Sequence, residues 1–239
     1  MPRQAPLRQG SPEKRAAIVA AALRIFVNEG YARASVDAIA ADAKVSKRTI
    51  YDYFGDKERL FLAAIEETEA AQEEGFQALL DHTLDTVTVT ATATAATAPG
   101  TGGQGPRAAE LEAALIAFGR EFATAVLRSP VRTALVRLIS AEAGHFPALR
   151  RRAGSVGPAQ RAIAERLARF AEAGLLDIAD PVEAAEYFGL LITGRVNNRS
   201  LFGAVEVDDA LIDELVAGGV RFFLRAYAPG PRPEAGTRG

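Results

Sequence analysis

Hydrophobic residues recur at helical spacing along most of the chain. In the first stretch Ile18, Ala22, Ile25 and Phe26 fall on one face of a helix, which Gly30 is expected to end. Similar apolar stripes predict short helices after Ser35, Ser46 and Asp56, a short piece near 147–152, and longer helices over 110–128, 130–143, 157–173, 181–202 and 208–228. No segment has a convincing strand pattern, so the expected fold class is all-α.

Residues 83–109 interrupt the helical pattern. This segment holds eight threonines followed by a cluster of Gly and Pro. Its Thr-Val-Thr-Ala alternation has the period of a strand, but no partner strand is evident elsewhere in the sequence. The composition favours a low-complexity loop between helices, with a hairpin or a helical extension as the alternatives.

The N-terminal helices have the layout of a helix-turn-helix. Four helices are predicted within about the first 70 residues, and a three-residue break separates the second from the third. We therefore expect a three-helix helix-turn-helix DNA-binding domain over 12–65, with the motif itself at about 35–54. A second helical domain is expected over 66–228.

The segment KVSKRTIYDYFGDKERLF, residues 44–61, concentrates cations and two of the chain's five tyrosines. On its helix Ile50 and Phe54 are predicted to face inward. The remaining face then carries polar side chains suited to base edges and phosphates: Lys47, Arg48, Thr49, Tyr51 and Asp52. Lys57 begins the next helix, where free backbone N–H groups already favour an anion. The alternative is a solvated basic helix whose tyrosines are half-buried.

Charge and composition point the same way. Residues 1–62 hold 11 Lys or Arg against 7 Asp or Glu, whereas the rest of the chain holds 17 against 23. A basic N-terminal region followed by an acidic remainder suggests that only the N-terminal region binds nucleic acid. There is no cysteine, no signal-peptide pattern at the N-terminus and no apolar run long enough to span a bilayer, so a cytoplasmic protein is expected.

Residues 12–65 resemble the N-terminal domain of the TetR/AcrR transcriptional regulators. The resemblance is carried by the Gly-Tyr at 30–31, the Ser that opens the second helix, the run Val-Ser-Lys-x-Thr-Ile-Tyr-x-Tyr-Phe, and a Lys two residues past Gly55. It implies that five residues of the recognition helix face DNA: Lys47, Arg48, Thr49, Tyr51 and Tyr53. It also implies phosphate contacts for Ser35 and Lys57.

Residues 110–226 resemble, more weakly, the C-terminal region of the AefR-like branch of that family. This resemblance implies a homodimer formed through the last two helices, about 181–226, and a small effector bound in the C-terminal domain. Gly218 and Gly219 would allow the close helix approach of a dimer interface. Operator DNA and an apolar effector are the expected partners, with no cofactor and no membrane.

Seven residues are candidates for effector binding: Phe118, Phe122, His145, Phe146, Tyr187, Arg195 and Asn198. For Phe118 and Phe122, four residues apart, plain core packing is the leading alternative, and for His145 a half-exposed capping role. With two histidines and no cysteine, a transition-metal site is not expected.

The expected function is a transcriptional repressor released from its operator by a small molecule. A constitutive DNA-binding protein without an effector is the alternative. The sequence lacks a phosphate-binding loop, a Gly-x-Ser-x-Gly elbow and a Cys/His nucleophile arrangement, so we do not expect an enzyme.

Overall fold

The computed structural model describes residues 11–87, 105–153 and 155–229, and all regular structure within these ranges is helical. The predicted all-α class is therefore confirmed. The helices are α1 (Pro12–Arg33), α2 (Val36–Asp42), α3 (Lys47–Phe54), α4 (Lys57–Ala70), α5 (Glu73–Thr83), α6 (Gly105–Arg128), α7 (Pro130–Glu142), α8 (Pro147–Ala153), α9 (Pro158–Glu172), α10 (Pro181–Gly189), a π-helical turn (Leu190–Gly194), α11 (Arg195–Arg199) and α12 (Asp209–Ala226).

The chain divides into two compact units. The first unit comprises Met1–Glu74 and Ala134–Ala153, and the second comprises Gly75–Thr133 and Gly154–Gly239. Most of α7 and all of α8 thus pack with the N-terminal helices, although the sequence suggested one domain for everything after residue 65. The assignment of functions to 12–65 and 66–228 stays a prediction.

The first unit is built around an aromatic cluster. The rings of Phe26 and Phe61 lie 5.0 Å apart between α1 and α4. Phe146, just before α8, packs 4.9 Å from Phe61 and 4.7 Å from Tyr31. The apolar face of α7, with Leu135 and Leu138 buried, completes this core.

The path of α1 breaks at Gly30, as the sequence predicts. Gly30 has φ of 75°, a left-handed conformation that glycine adopts without steric cost. The chain resumes helical geometry for three residues, and the N–H of Tyr31 donates to Glu142 Oε1 at 3.1 Å. Glu142 at the end of α7 thereby satisfies a donor that the break exposes.

The second unit is a bundle in which α12 packs along α6 and along the π-helical turn. Its core centres on Phe118, Phe188 and Phe223, all completely buried. A network of ion pairs joins α9 to the end of α5: Arg166 lies 3.0 Å from Asp85 and 3.0 Å from Asp81.

Two glycines permit the close packing of this bundle. A Cβ on Gly119 of α6 would lie 2.7 Å from Val216 Cγ1, and a Cβ on Gly219 of α12 would overlap the Leu191 carbonyl of the π-helical turn. The expectation that Gly219 serves a dimer interface is therefore wrong, because its open side is filled by the same chain. Gly218 faces only the end of the Arg195 side chain.

The elements differ from the prediction in three places. α5 was not anticipated, and α6 begins at Gly105 rather than at residue 110. The single helix predicted over 181–202 is interrupted by the π-helical turn and ends at Arg199, followed by Leu201 and Phe202 with φ of 47° and 55°. Of the predicted loop at 83–109, residues 88–104 lie outside the described residues.

Candidate nucleic-acid interface

The turn between α2 and α3 is held by local hydrogen bonds. Ser35 Oγ accepts from the Asp37 N–H at 3.2 Å, and Ser46 Oγ accepts from the Thr49 N–H at 3.0 Å. These N-caps satisfy otherwise free donors at the start of each helix. Between the helices, Lys44 adopts φ of 55°, which lets the chain reverse within four residues. The predicted helix-turn-helix geometry is present.

Two apolar side chains anchor α3 to the first unit. Ile50 and Phe54 lie one turn apart and are buried, and Gly55, with φ of 85°, ends the helix. This register leaves the opposite face outside the core, and that face carries exposed Lys47, Arg48, Tyr51 and Asp52, with Thr49 half-buried. Cations and hydroxyl groups at the N-terminal end of such a helix match the groups that read a DNA major groove.

Lys47 is held by an acidic partner on the preceding helix. Its Nζ donates to Asp37 Oδ2 at 2.8 Å, and this hydrogen bond raises the pKa of Lys47 above its ordinary value. The pair keeps the ammonium group at the tip of α3. Asp37 was not singled out from the sequence, because only the fold brings the starts of α2 and α3 together.

Tyr53 and Lys57 also have partners within the first unit. The Tyr53 hydroxyl donates to the Ser11 carbonyl at 3.4 Å, and the ring is half-buried. Lys57 Nζ lies 4.6 Å from the centre of the Tyr31 ring and donates to the Ala32 carbonyl at 3.4 Å. Tyr31 thus positions a predicted phosphate contact. The DNA roles of these residues stay predictions.

The seven predicted effector residues do not share one unit. His145 and Phe146 lie in the first unit, where His145 is exposed beside Glu142 and Phe146 belongs to the aromatic core. The other five lie in the second unit. There Phe118 is buried and stacks on Phe122 at 5.6 Å between ring centres. For these two aromatic residues, core packing is the role that the structure displays.

The remaining three candidates lie at the surface of the second unit. Tyr187 is 47 % exposed and donates to Glu183 at 3.1 Å, while Arg195 and Asn198 are exposed on α11. Tyr187 belongs to an apolar surface shared by α10, the π-helical turn and α12. This surface, called the α10–α12 face, is lined by Tyr187, Leu190, Leu191, Phe222, Ala226 and Tyr227, together with the buried Phe223.

Two family models match the chain. Residues 18–64 match the model for bacterial regulatory proteins of the tetR family, and residues 113–229 match the model for the AefR-like transcriptional repressor C-terminal domain. The solved structure of the flavonoid-responsive regulator FrrA is 30% identical, with a TM-score of 0.67, over 92% of this chain and 100% of that one. The chain belongs to the TetR family. The predicted resemblance is confirmed in both regions.

Two further relatives match over shorter stretches of the chain. The transcriptional repressor TetR of Mycobacteroides abscessus is 41% identical over 56 residues, and the repressor NicS of Pseudomonas putida is 41% identical over 49 residues. The chain spans only 30% and 23% of the lengths of these relatives.

The fold alone is supported by a further solved structure. A TetR-family regulator from Mesorhizobium loti, at 22% identity, has a TM-score of 0.72 and covers 92% of this chain and 100% of its own. Within the described ranges, no helix is long and apolar enough to cross a membrane.

Proposed function

We propose that the protein is a cytoplasmic, homodimeric repressor that binds operator DNA through α3 and is released by a small-molecule effector. The observation that carries this proposal is the exposed face of α3, with Lys47, Arg48 and Tyr51 free of the core in a capped helix-turn-helix. Membership of the TetR family supports the same function, and the relatives are named as regulators rather than as enzymes.

Replacement of Arg48 tests the DNA contact. Arg48→Ala removes an exposed side chain of α3 without touching Ile50 or Phe54, so the fold should be retained. A lost contact to guanine costs about 1–3 kcal/mol, which is a loss of roughly 5-fold to 150-fold in affinity. Fluorescence anisotropy on DNA taken from upstream of the gene measures this loss.

A matched control is Arg24→Ala on α1, whose side chain is exposed and paired with Asp42 at 2.7 Å. It removes the same charge away from α3 and should change affinity much less. Equal losses for Arg24→Ala and Arg48→Ala would mean that α3 does not read the operator.

The α10–α12 face supports the proposed homodimer. Leu190 is 59 % exposed and Phe222 is 57 % exposed, on elements within the predicted interface of 181–226. A two-fold pair has two recognition helices, as an operator with two half-sites about 34–36 Å apart, one turn of DNA, requires. Large apolar side chains that are exposed next to one another are typical of an interaction surface.

Sedimentation at micromolar concentration tests the dimer. Phe222→Glu should give a monomer because it places a charge in the apolar α10–α12 face. Val131→Glu, at a similarly exposed apolar residue on α7, should remain dimeric. A dimer that survives Phe222→Glu would show that the subunits associate elsewhere.

The effector distinguishes this proposal from a constitutive DNA-binding protein. The relative FrrA is named as flavonoid-responsive, which favours a response to a small molecule here as well. An effector that binds the DNA-free form better by ~3 kcal/mol would weaken the operator complex about a hundredfold. A thermal-shift screen of small aromatic compounds tests this, followed by a measurement of whether each stabilising compound releases the protein from operator DNA. If no compound stabilises the protein and none releases it from DNA, the constitutive alternative is favoured.

A further inference from the structure

Arg132, in the first turn of α7, has an unusual environment within the second unit. Its side chain is partly buried, and the guanidinium carbon lies 5.7 Å from the centre of the Phe122 ring. Phe122 in turn packs against Phe76 at 5.3 Å and against Phe118 at 5.6 Å. The cation thus lies at the edge of an aromatic cluster formed by Phe76, Phe118 and Phe122.

Within the described residues, the guanidinium of Arg132 forms no ion pair with a carboxylate and no side-chain hydrogen bond, while the backbone N–H donates to Ser129 Oγ at 3.2 Å. Burial lowers the pKa of the guanidinium, with no carboxylate opposing that effect. The segments outside the description supply few acids, because residues 1–10 and 88–104 contain no Asp or Glu and 230–239 contain only Glu234.

The neighbouring arginines of this region differ sharply from Arg132. Arg120 and Arg128 on α6 each form an ion pair with an aspartate of α12, Asp213 and Asp209 respectively. Both are more exposed than Arg132 and so have less need of a partner. Of these three arginines, Arg132 is the least exposed to water, and it is the one without a carboxylate partner among the described residues.

A desolvated charge is costly unless an anion compensates it. Arginine stays protonated at any physiological pH, so the side chain cannot escape this cost by losing its proton. Its planar group binds a carboxylate through two parallel hydrogen bonds, and the aromatic cluster beside it suits a flat apolar body. These features together define a ligand class.

We propose that Arg132 binds the anionic group of the effector, and that the effector is a small aromatic carboxylate or a comparable planar organic anion. This inference rests on the proposed function and narrows its effector from an apolar compound to an anionic one. Arg132 was not among the polar candidates chosen from the sequence, His145, Arg195 and Asn198. The structure instead shows Arg195 and Asn198 exposed, so water can solvate the polar groups of both side chains.

Isothermal titration with 1-naphthoate and its neutral isostere 1-naphthamide tests the proposal on the full chain. The wild-type protein should bind naphthoate at least about tenfold more tightly than naphthamide, because a bidentate charge-assisted pair is available only to the carboxylate. Arg132→Met, which keeps the length and apolar contacts of the side chain, should bind the two compounds equally. Arg128→Met, which removes a paired arginine four residues away, should retain the preference.

Melting without ligand separates binding from a structural role. Arg132→Met should melt no lower than the wild-type protein, because it removes an uncompensated charge and leaves the packing on Phe122. A clearly lower melting temperature would assign Arg132 to the fold and overturn the inference.

Other outcomes also decide the matter. Equal affinity of the wild-type protein for naphthoate and naphthamide would overturn the anionic effector and leave an apolar effector in place. A preference for naphthoate that survives Arg132→Met would place the anion elsewhere. Failure of both compounds to bind would overturn the inference, whereas the proposed function would still be judged by operator binding of Arg48→Ala.

Discussion

Gly218 and Gly219, adjacent on α12, should respond to alanine in opposite directions. A Cβ on Gly219 would overlap the carbonyl oxygen of Leu191 and approach its carbonyl carbon to 2.9 Å. These are backbone atoms of the π-helical turn, which cannot rotate away. A Cβ on Gly218 would meet only Arg195 Nη1 at 3.3 Å, the far end of a flexible side chain.

The comparison isolates the cost of the overlap. Both substitutions gain about 1 kcal/mol of helix propensity, so this contribution cancels in the difference between the variants. Overpacking in a core costs about 1–3 kcal/mol, and the overlap with fixed backbone places Gly219→Ala in the upper part of that range. We therefore expect Gly218→Ala to be as stable as the wild-type protein or more stable, and Gly219→Ala to be less stable by about 1–2 kcal/mol.

Thermal and urea denaturation of both variants measure this difference. Each kcal/mol corresponds to about 2–4 °C in Tm for a chain of this size. The measurements need equal protomer concentrations, because dimerisation adds to apparent stability. Variants that agree within about 0.5 kcal/mol would refute the close approach of α12 to the π-helical turn. A loss in Gly219→Ala that varies with concentration would instead return Gly219 to a dimer interface.

Three further outcomes follow from local contacts. Lys57→Ala should weaken binding to all DNA sequences and reduce the slope of log affinity against log salt by about one, measured by anisotropy; an unchanged slope would remove Lys57 from the phosphate contacts. Ile50→Ala should cost about 2–5 kcal/mol in unfolding free energy, whereas Tyr51→Ala, on the exposed face, should cost little. Hydrogen bonds to the Ala78 carbonyl and to Glu121 raise the pKa of His82. Protonated His82 therefore stabilises the folded protein fully below its unfolded pKa of about 6.5, and this stabilisation is lost as pH rises through the higher folded pKa. Glu121→Gln should lower the folded pKa, as measured by an NMR titration.

The helix starts could be predicted from the sequence because a cap depends on residues within one turn. Backbone N–H groups donate to the side chains of Ser35, Ser46 and Asp56, each of which precedes a predicted helix, and also to those of Asp180 and Asp208. Ser11, directly before Pro12 at the start of α1, makes no side-chain cap, and its hydroxyl donates to Glu13 at 3.4 Å. Local signals therefore indicate where these capped helices begin, but they did not indicate α5 or the start of α6 at Gly105.

Contacts between distant segments could not be read from spacing. Leu135, Leu138 and Phe146 are buried in the first unit because α7 and the start of α8 pack on the N-terminal helices. The spacing of apolar residues shows which face of a helix is buried, but it does not show which helix packs against that face. The sequence likewise does not show that the Leu191 carbonyl of the π-helical turn faces Gly219 of α12. Arg132 could not be chosen from the sequence, because the fold decides which acidic side chains lie within reach of it.

The recognition face shows how far the unbound protein prepares its DNA contacts. Lys47 is paired with Asp37 and Lys57 rests over Tyr31, so two predicted contacts start from defined positions rather than from free rotation. The Lys47 pair is exposed, and an exposed ion pair contributes little to stability. In the proposed complex, Lys47 could therefore leave Asp37 for an acceptor on a base edge at little cost in stability. Arg48 is exposed and has no such partner among the described residues, so in the proposed complex the operator would have to order this side chain.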